Sequence, residues 1–89
     1  MKLSKTFHYS KVEKKFFKKH KDLISKYSNV LNQLKNDPFD KTLKTHKLKG
    51  DLKDFYSCSL TYSYRIIITI KIVDEEIILV NIGTHDNVY

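Results

Sequence analysis

Tyr64-Arg65-Ile66-Ile67-Ile68-Thr69-Ile70-Lys71-Ile72-Val73 and Glu76-Ile77-Ile78-Leu79-Val80-Asn81-Ile82 decide how this chain folds, with Asp74-Glu75 between them. Ile, Thr, Tyr and Val pack well on a pleated surface, and both runs have strand length. Two residues leave no room for a crossover helix, so the pair must be an antiparallel hairpin. Upstream, Phe55 to Leu60 reads as a third strand of the same sheet. Downstream, Gly83 reads as the end of the last strand, with Thr84-His85-Asp86-Asn87-Val88-Tyr89 as a tail.

The period changes toward the N-terminus. Leu3, Lys5, Phe7 and Tyr9 alternate weakly, which predicts a short strand. Ser10 then offers an N-cap, with Glu13 at capping-box spacing. Over residues 10–20, Val12, Phe16 and Phe17 line one side of a helix, while Lys11, Lys14, Lys15, Lys18 and Lys19 cover the rest. His20-Lys21-Asp22 interrupts this pattern. Leu23, Ile24, Tyr27, Val30, Leu31 and Leu34 resume it in a second helix that stops before Asn36-Asp37-Pro38. Residues 37–53, with the only Pro and five Lys, read as a long irregular basic connection, and such loops tend to carry function. The expected fold is α+β: an N-terminal strand and helical hairpin packed on an antiparallel sheet of about four strands, forming one domain over residues 1–89.

Charge is strongly polarised. Residues 1–53 carry fifteen Lys against five acids, net +10, and residues 54–89 carry two bases against five acids, net −3. That one-sided excess favours a polyanionic partner. A chain of this size buries only about 60–65% of its unfolded surface, so a partner that binds the folded form would add materially to its stability. Cys58 is the only cysteine, which excludes an internal disulfide and suits a reducing compartment. No apolar run has the length of a membrane span and the N-terminus lacks a signal-peptide pattern, so a cytoplasmic location is expected. Four scattered His and one Cys give no zinc-like ligand spacing, and neither metal nor cofactor is expected.

Three local patterns carry a family likeness. They are His46-Lys47-Leu48-Lys49-Gly50, Tyr64-Arg65 opening the long apolar strand, and the terminal Ile82-Gly83-Thr84-His85-Asp86-Asn87-Val88-Tyr89. Together with the order of elements, they resemble the RelE/YafQ toxins of type II toxin–antitoxin pairs over nearly the whole chain. The resemblance implies an endoribonuclease that cleaves mRNA on the ribosome without a metal. The RNA's own 2′-hydroxyl attacks the adjacent phosphate, leaving 2′,3′-cyclic phosphate and 5′-hydroxyl ends. It also implies a cognate antitoxin as partner. Nothing in the sequence fixes an oligomeric state.

Such a reaction needs a base, an acid and positive charge on the phosphate. An imidazole ordinarily titrates near pH ~6.5, so His46 and His85 are the candidates for proton transfer, with the roles of acid and base left open between them. Arg65, the only arginine, is the candidate phosphate clamp, because a planar guanidinium grips two oxygens at once. Tyr89 is expected to stack on a base or hold the phosphate. Lys44, Lys47 and Lys49, with Tyr62 and Tyr64, are the expected further RNA contacts. One departure stands out: the family usually has a His or Lys on the first strand of the sheet hairpin, where this chain has Ser59, and Ser63 replaces an acid.

The plainer reading of each feature differs. His46 in a basic loop is a solvated residue, Arg65 pairs with Asp86 or a sheet-edge carbonyl, the lysine face of the first helix only confers solubility, and Cys58 is a small strand residue. Two other functions fit the same residues: a non-catalytic ParE-like toxin that binds a protein such as gyrase, and a plain RNA-binding module that stacks bases on sheet tyrosines.

Overall fold

The computed structural model describes residues 1–89. Its elements are strand β1 (Lys2–Lys5), helix α1 (Phe7–Lys19), helix α2 (Ile24–Asn36), strands β2 (His46–Lys47), β3 (Tyr56–Ser59), β4 (Tyr64–Lys71) and β5 (Glu76–Thr84), and a short helix α3 (His85–Val88). Single 3-10 turns lie at Lys21–Leu23, Lys41–Leu43 and Gly50–Leu52. The α+β class is as the sequence led us to expect, with the helical hairpin packed on the sheet. The sheet has five strands in the order β1-β5-β4-β3-β2. Strands β2 to β5 are antiparallel, whereas β1 pairs parallel to β5, with Lys2 opposite Glu76 and Lys5 opposite Leu79. The extra strand is β2, cut from the connection that reads as irregular.

Helix α1 begins earlier than the Ser10 cap implies. Thr6 is the N-cap, and its hydroxyl accepts from the Tyr9 amide at 2.9 Å. Glu13 then serves another purpose: it accepts from Lys5 Nζ at 2.9 Å and from the Tyr27 hydroxyl, and Tyr27 meets the Tyr9 hydroxyl at 2.7 Å. This chain of polar groups joins β1, α1 and α2, and it satisfies two phenols that would otherwise be buried at a cost. Burial drives both tyrosine hydroxyls well above the ordinary phenol range.

Strand β5 solves a parity problem. Ile77, Leu79 and Ile82 are all buried in the core, yet in a regular strand residues 79 and 82 point to opposite faces. A bulge resolves this, because Ile67 pairs with Asn81 and Ile68 with Leu79, leaving Val80 as the extra residue. The helix-covered face of the sheet therefore gathers Cys58, Ile66, Ile68, Ile77, Leu79 and Ile82 against Tyr9, Tyr27, Val30 and Leu34. The strand also runs on past Gly83 to Thr84, and Gly83 pairs with Arg65.

Candidate functional site

The outer face of the sheet carries Ser57 and Ser59 on β3, Arg65 and Ile67 on β4, and Asn81 and Gly83 on β5, as the register and the alternation along each strand require. It is covered at one end by α3. Thr84 caps this helix by accepting from the Asn87 amide at 3.3 Å, and Val88 lies over Gly83. A Cβ on Gly83 would stand 3.4 Å from Val88 Cγ1 and 3.5 Å from Asn87 Cβ, ordinary van der Waals contact, so the helix seats close on this position with space for a methyl group and little more. Ile67 and Val88 are the two buried apolar residues outside the main core cluster. The tail is thus a packed element, with His85 at the start of a short helix and Tyr89 just past its end.

Its exposed side presents His85 and Tyr89, whose rings meet edge to face with centroids 4.2 Å apart. Asp86 Oδ1 lies 3.6 Å from His85 Nδ1, with both side chains open to solvent. His46 is far along the sheet, on edge strand β2, opposite Ser57 and separated from β5 by β3 and β4. It is exposed, and its Nδ1 is 3.1 Å from the Lys44 carbonyl. The two imidazoles therefore flank the outer face instead of touching each other.

Arg65 takes up the sheet-edge carbonyls and does not pair with Asp86. Its Nη1 donates to the carbonyls of Thr61 (2.8 Å), Tyr62 (3.1 Å) and Tyr64 (3.3 Å), and to Ser59 Oγ at 3.4 Å. One amino group thus holds the β3–β4 turn while Nε and Nη2 keep no protein partner, so a two-point grip on an anion stays available. Ser59 also donates to Thr61 at 3.0 Å and so helps shape that turn. Tyr64 points the other way, into the helix-covered side, where it packs edge to face on Phe16 at 5.0 Å and against His20 at 4.8 Å. Tyr62 is 94% exposed.

Two recesses adjoin these residues. One, of about 370 Å³, lies between α1 and the end of β5, with Phe16, His20 and Tyr64 inside and Lys15, Lys19 and Asn87 at its mouth. The other, of about 660 Å³, brings Arg65, Tyr62, Ser59 and Lys44 together with Lys26, Asn29 and Gln33 of α2. Sequence reasoning placed α2 as packing only. Lys47 and Lys49 line neither recess and are solvent-exposed. Nowhere do three or more His, Cys, Asp or Glu side chains converge. No helix is long and apolar enough to cross a membrane.

A small basic α+β protein with this sheet order and a His-bearing terminal helix falls in a known structural class of bacterial toxins. The metal-bound toxin from Helicobacter pylori superposes with a TM-score of 0.84 at 28% identity, covering 100% of this chain and 99% of that one. YafQ from E. coli strain BL21(DE3) gives 0.82 at 21% identity over 98% and 96% of the two chains, and the YafQ of the E. coli DinJ–YafQ complex gives 0.80 at 21% over the same shares. At that identity the likeness to E. coli YafQ speaks for the fold. Among curated proteins, no sequence match was found. The chain belongs to the YafQ family, bacterial toxins of type II toxin–antitoxin systems, whose sequence pattern matches residues 1–89.

Proposed function

We propose that this toxin, acting as a single domain in the cytoplasm, is an endoribonuclease that cleaves mRNA on the ribosome through attack of the RNA's own 2′-hydroxyl. The observation that carries the reading is the seating of α3. Val88 on Gly83 fixes a short helix from which His85 and Tyr89 project together into solvent, over the strand end that pairs with Arg65.

From this arrangement the chemistry follows. An RNA strand lying across β3 and β4 on the outer face passes between His46 and His85. One imidazole then takes the 2′-hydroxyl proton while the other delivers a proton to the departing 5′-oxygen, each such transfer contributing about 10²- to 10⁴-fold. The free edge of the Arg65 guanidinium meets the phosphate as it gains negative charge. Tyr89, 41% exposed beside His85, stacks a base or donates its hydroxyl to the phosphate. Lys44, Lys47 and Lys49 draw in the backbone without reading sequence. Ser59 supplies no charge of its own, so the increment that a His or Lys would give at that position falls to Arg65.

Toxins of this family act against a cognate antitoxin, and E. coli YafQ has been solved with DinJ. For this chain the partner is an antitoxin whose acidic segment complements the +10 half of the sequence.

The test is induced expression of wild type and of a His46→Ala/His85→Ala double variant, with mapping of new mRNA 5′ ends. New ends inside translated frames, absent in the double variant, support the nuclease. Growth arrest without new ends would assign the toxin to a protein target instead.

A further inference from the structure

The geometry points to a second RNA contact that meets the cleavage site at Arg65: the groove between α2 and the β3–β4 turn holds the backbone of the single strand on its way to the site, with Tyr62 stacking one base. This rests on the nuclease reading above.

Three cations distant in sequence converge there: Lys26 from α2, Lys44 after the Lys41–Leu43 turn, and Arg65 from β4. No carboxylate lines the groove. Asp40, the nearby acid, is occupied by the amide and hydroxyl of Thr42, at 2.9 and 2.6 Å. Gathering like charges without an offsetting acid costs energy that an anionic ligand returns, and a concave wall concentrates the resulting field.

The backbone supplies a second, independent sign. Lys44 sits in the left-handed region at φ 51, one of two non-glycine residues there. Here the left-handed residue closes the Lys41–Leu43 turn, its amide donating to the Lys41 carbonyl, and so fixes the backbone from which the Lys44 side chain reaches the groove.

The choice of RNA over an acidic protein segment rests on Tyr62. The Tyr62 ring is 94% exposed on a turn whose carbonyl accepts from Arg65 at 3.1 Å, so an accessible aromatic face stands on an anchored backbone beside the groove's cations, where a base can stack on it. Its turn joins Ser59 to Arg65, so the groove continues onto the outer face where the imidazoles lie.

The experiment is fluorescence anisotropy of the full chain with a short single-stranded 2′-O-methyl RNA, whose blocked 2′-oxygen prevents cleavage. Lys26→Ala and Lys44→Gly should each weaken binding severalfold and flatten the salt dependence by about 0.7 in log–log slope. Tyr62→Ala should weaken it about tenfold. Lys44→Gly should leave Tm little changed, because relief of the left-handed backbone and the added chain entropy of glycine largely cancel, which separates lost binding from damage to the fold. Lys71→Ala, an equal loss of charge at the far end of β4, is the reference. Groove variants that bind like Lys71→Ala overturn the proposal, as does loss of binding to a glutamate-rich peptide with RNA binding unmoved. Cleavage abolished by His85→Ala alongside intact groove-variant binding rejects the groove and leaves the nuclease. Binding that falls as stated, with no cleavage by wild type, does the reverse.

Discussion

The two faces of one sheet use the same strands for opposite ends. Ser57 and Cys58 are neighbours, both fully buried, yet they point to different worlds. Cys58 faces the helices, where burial pushes its thiol from the ordinary 9.0 up to about 12 and its Sγ reaches the Ile66 carbonyl at 3.5 Å. Ser57 faces the outer side opposite His46, and its hydroxyl has no hydrogen-bond partner. One face is closed and saturated. The other is more polar, and even where it is covered it leaves the Ser57 hydroxyl unpaired.

The contrast breaks most violently on the helix side. Leu79→Ala opens a cavity in a fully buried position and should cost about 2–5 kcal/mol in chemical denaturation, a large share of the stability of so small a domain. A loss under 1 kcal/mol would mean the core is loosely packed. Gly83→Val acts on the outer face alone. Its extra methyls have no room against Val88 and Asn87, so α3 should lift and cleavage fall about a hundredfold from misplacement of His85, with Tm changed little. Gly83→Ala, whose Cβ only reaches ordinary contact, should keep most activity.

Ser57→Ala sharpens the comparison with a small effect of the other sign. Removing an unpaired buried hydroxyl should raise stability by up to about 1 kcal/mol, and a fall of that size would reveal a partner for the hydroxyl. Cys58 gives the smallest response. In the folded protein its raised value keeps the thiol protonated, so the stability this contributes is full below pH about 9 and is lost as pH climbs toward 12. Iodoacetamide at pH 8 should therefore label Cys58 only after denaturant is added. Rapid labelling of the native chain would show that β3 opens locally.

How far the sequence announced this division depends on the range of each interaction. The hairpin of β4 and β5 was legible because Ile and Thr runs around Asp74-Glu75 carry their own geometry, and the helical hairpin because Tyr27, Val30 and Leu34 share a face. The start of α1 was not. Thr6 and Ser10 are both acceptable caps, and the choice falls to Tyr9, whose buried contact with Tyr27 is made eighteen residues away. Strand β2 has two polar exposed residues and exists only because β3 lies beside it. The run Ile77 to Ile82 hides a bulge, since one extra residue leaves composition unchanged while inverting every face beyond it.

The site divides the same way. The His85 and Tyr89 pairing follows from helical spacing of four residues, so once α3 forms their meeting is local. A sheet-edge carbonyl is one partner the sequence suggests for Arg65, but that three carbonyls, of Thr61, Tyr62 and Tyr64, meet one amino group depends on the shape of the turn, which no residue type advertises. Lys26 and Gln33 read as the solvated side of α2, and only the docking of that helix beside Lys44 and Arg65 makes them walls of a groove.

The parallel pairing of β1 with β5 has a consequence in time. The first strand out of the ribosome finds its partner only when residues 76–79 have followed it, and the chain meanwhile carries an unpaired edge and half a core. The backbone pairing of β1 waits on the last strand, which makes this a slow closure for so short a protein. A cell that makes such a toxin is therefore granted a delay. Until β5 is in place, neither the complete sheet nor the helix bearing His85 can form, so the toxin's outer face is the last part of the fold to be assembled.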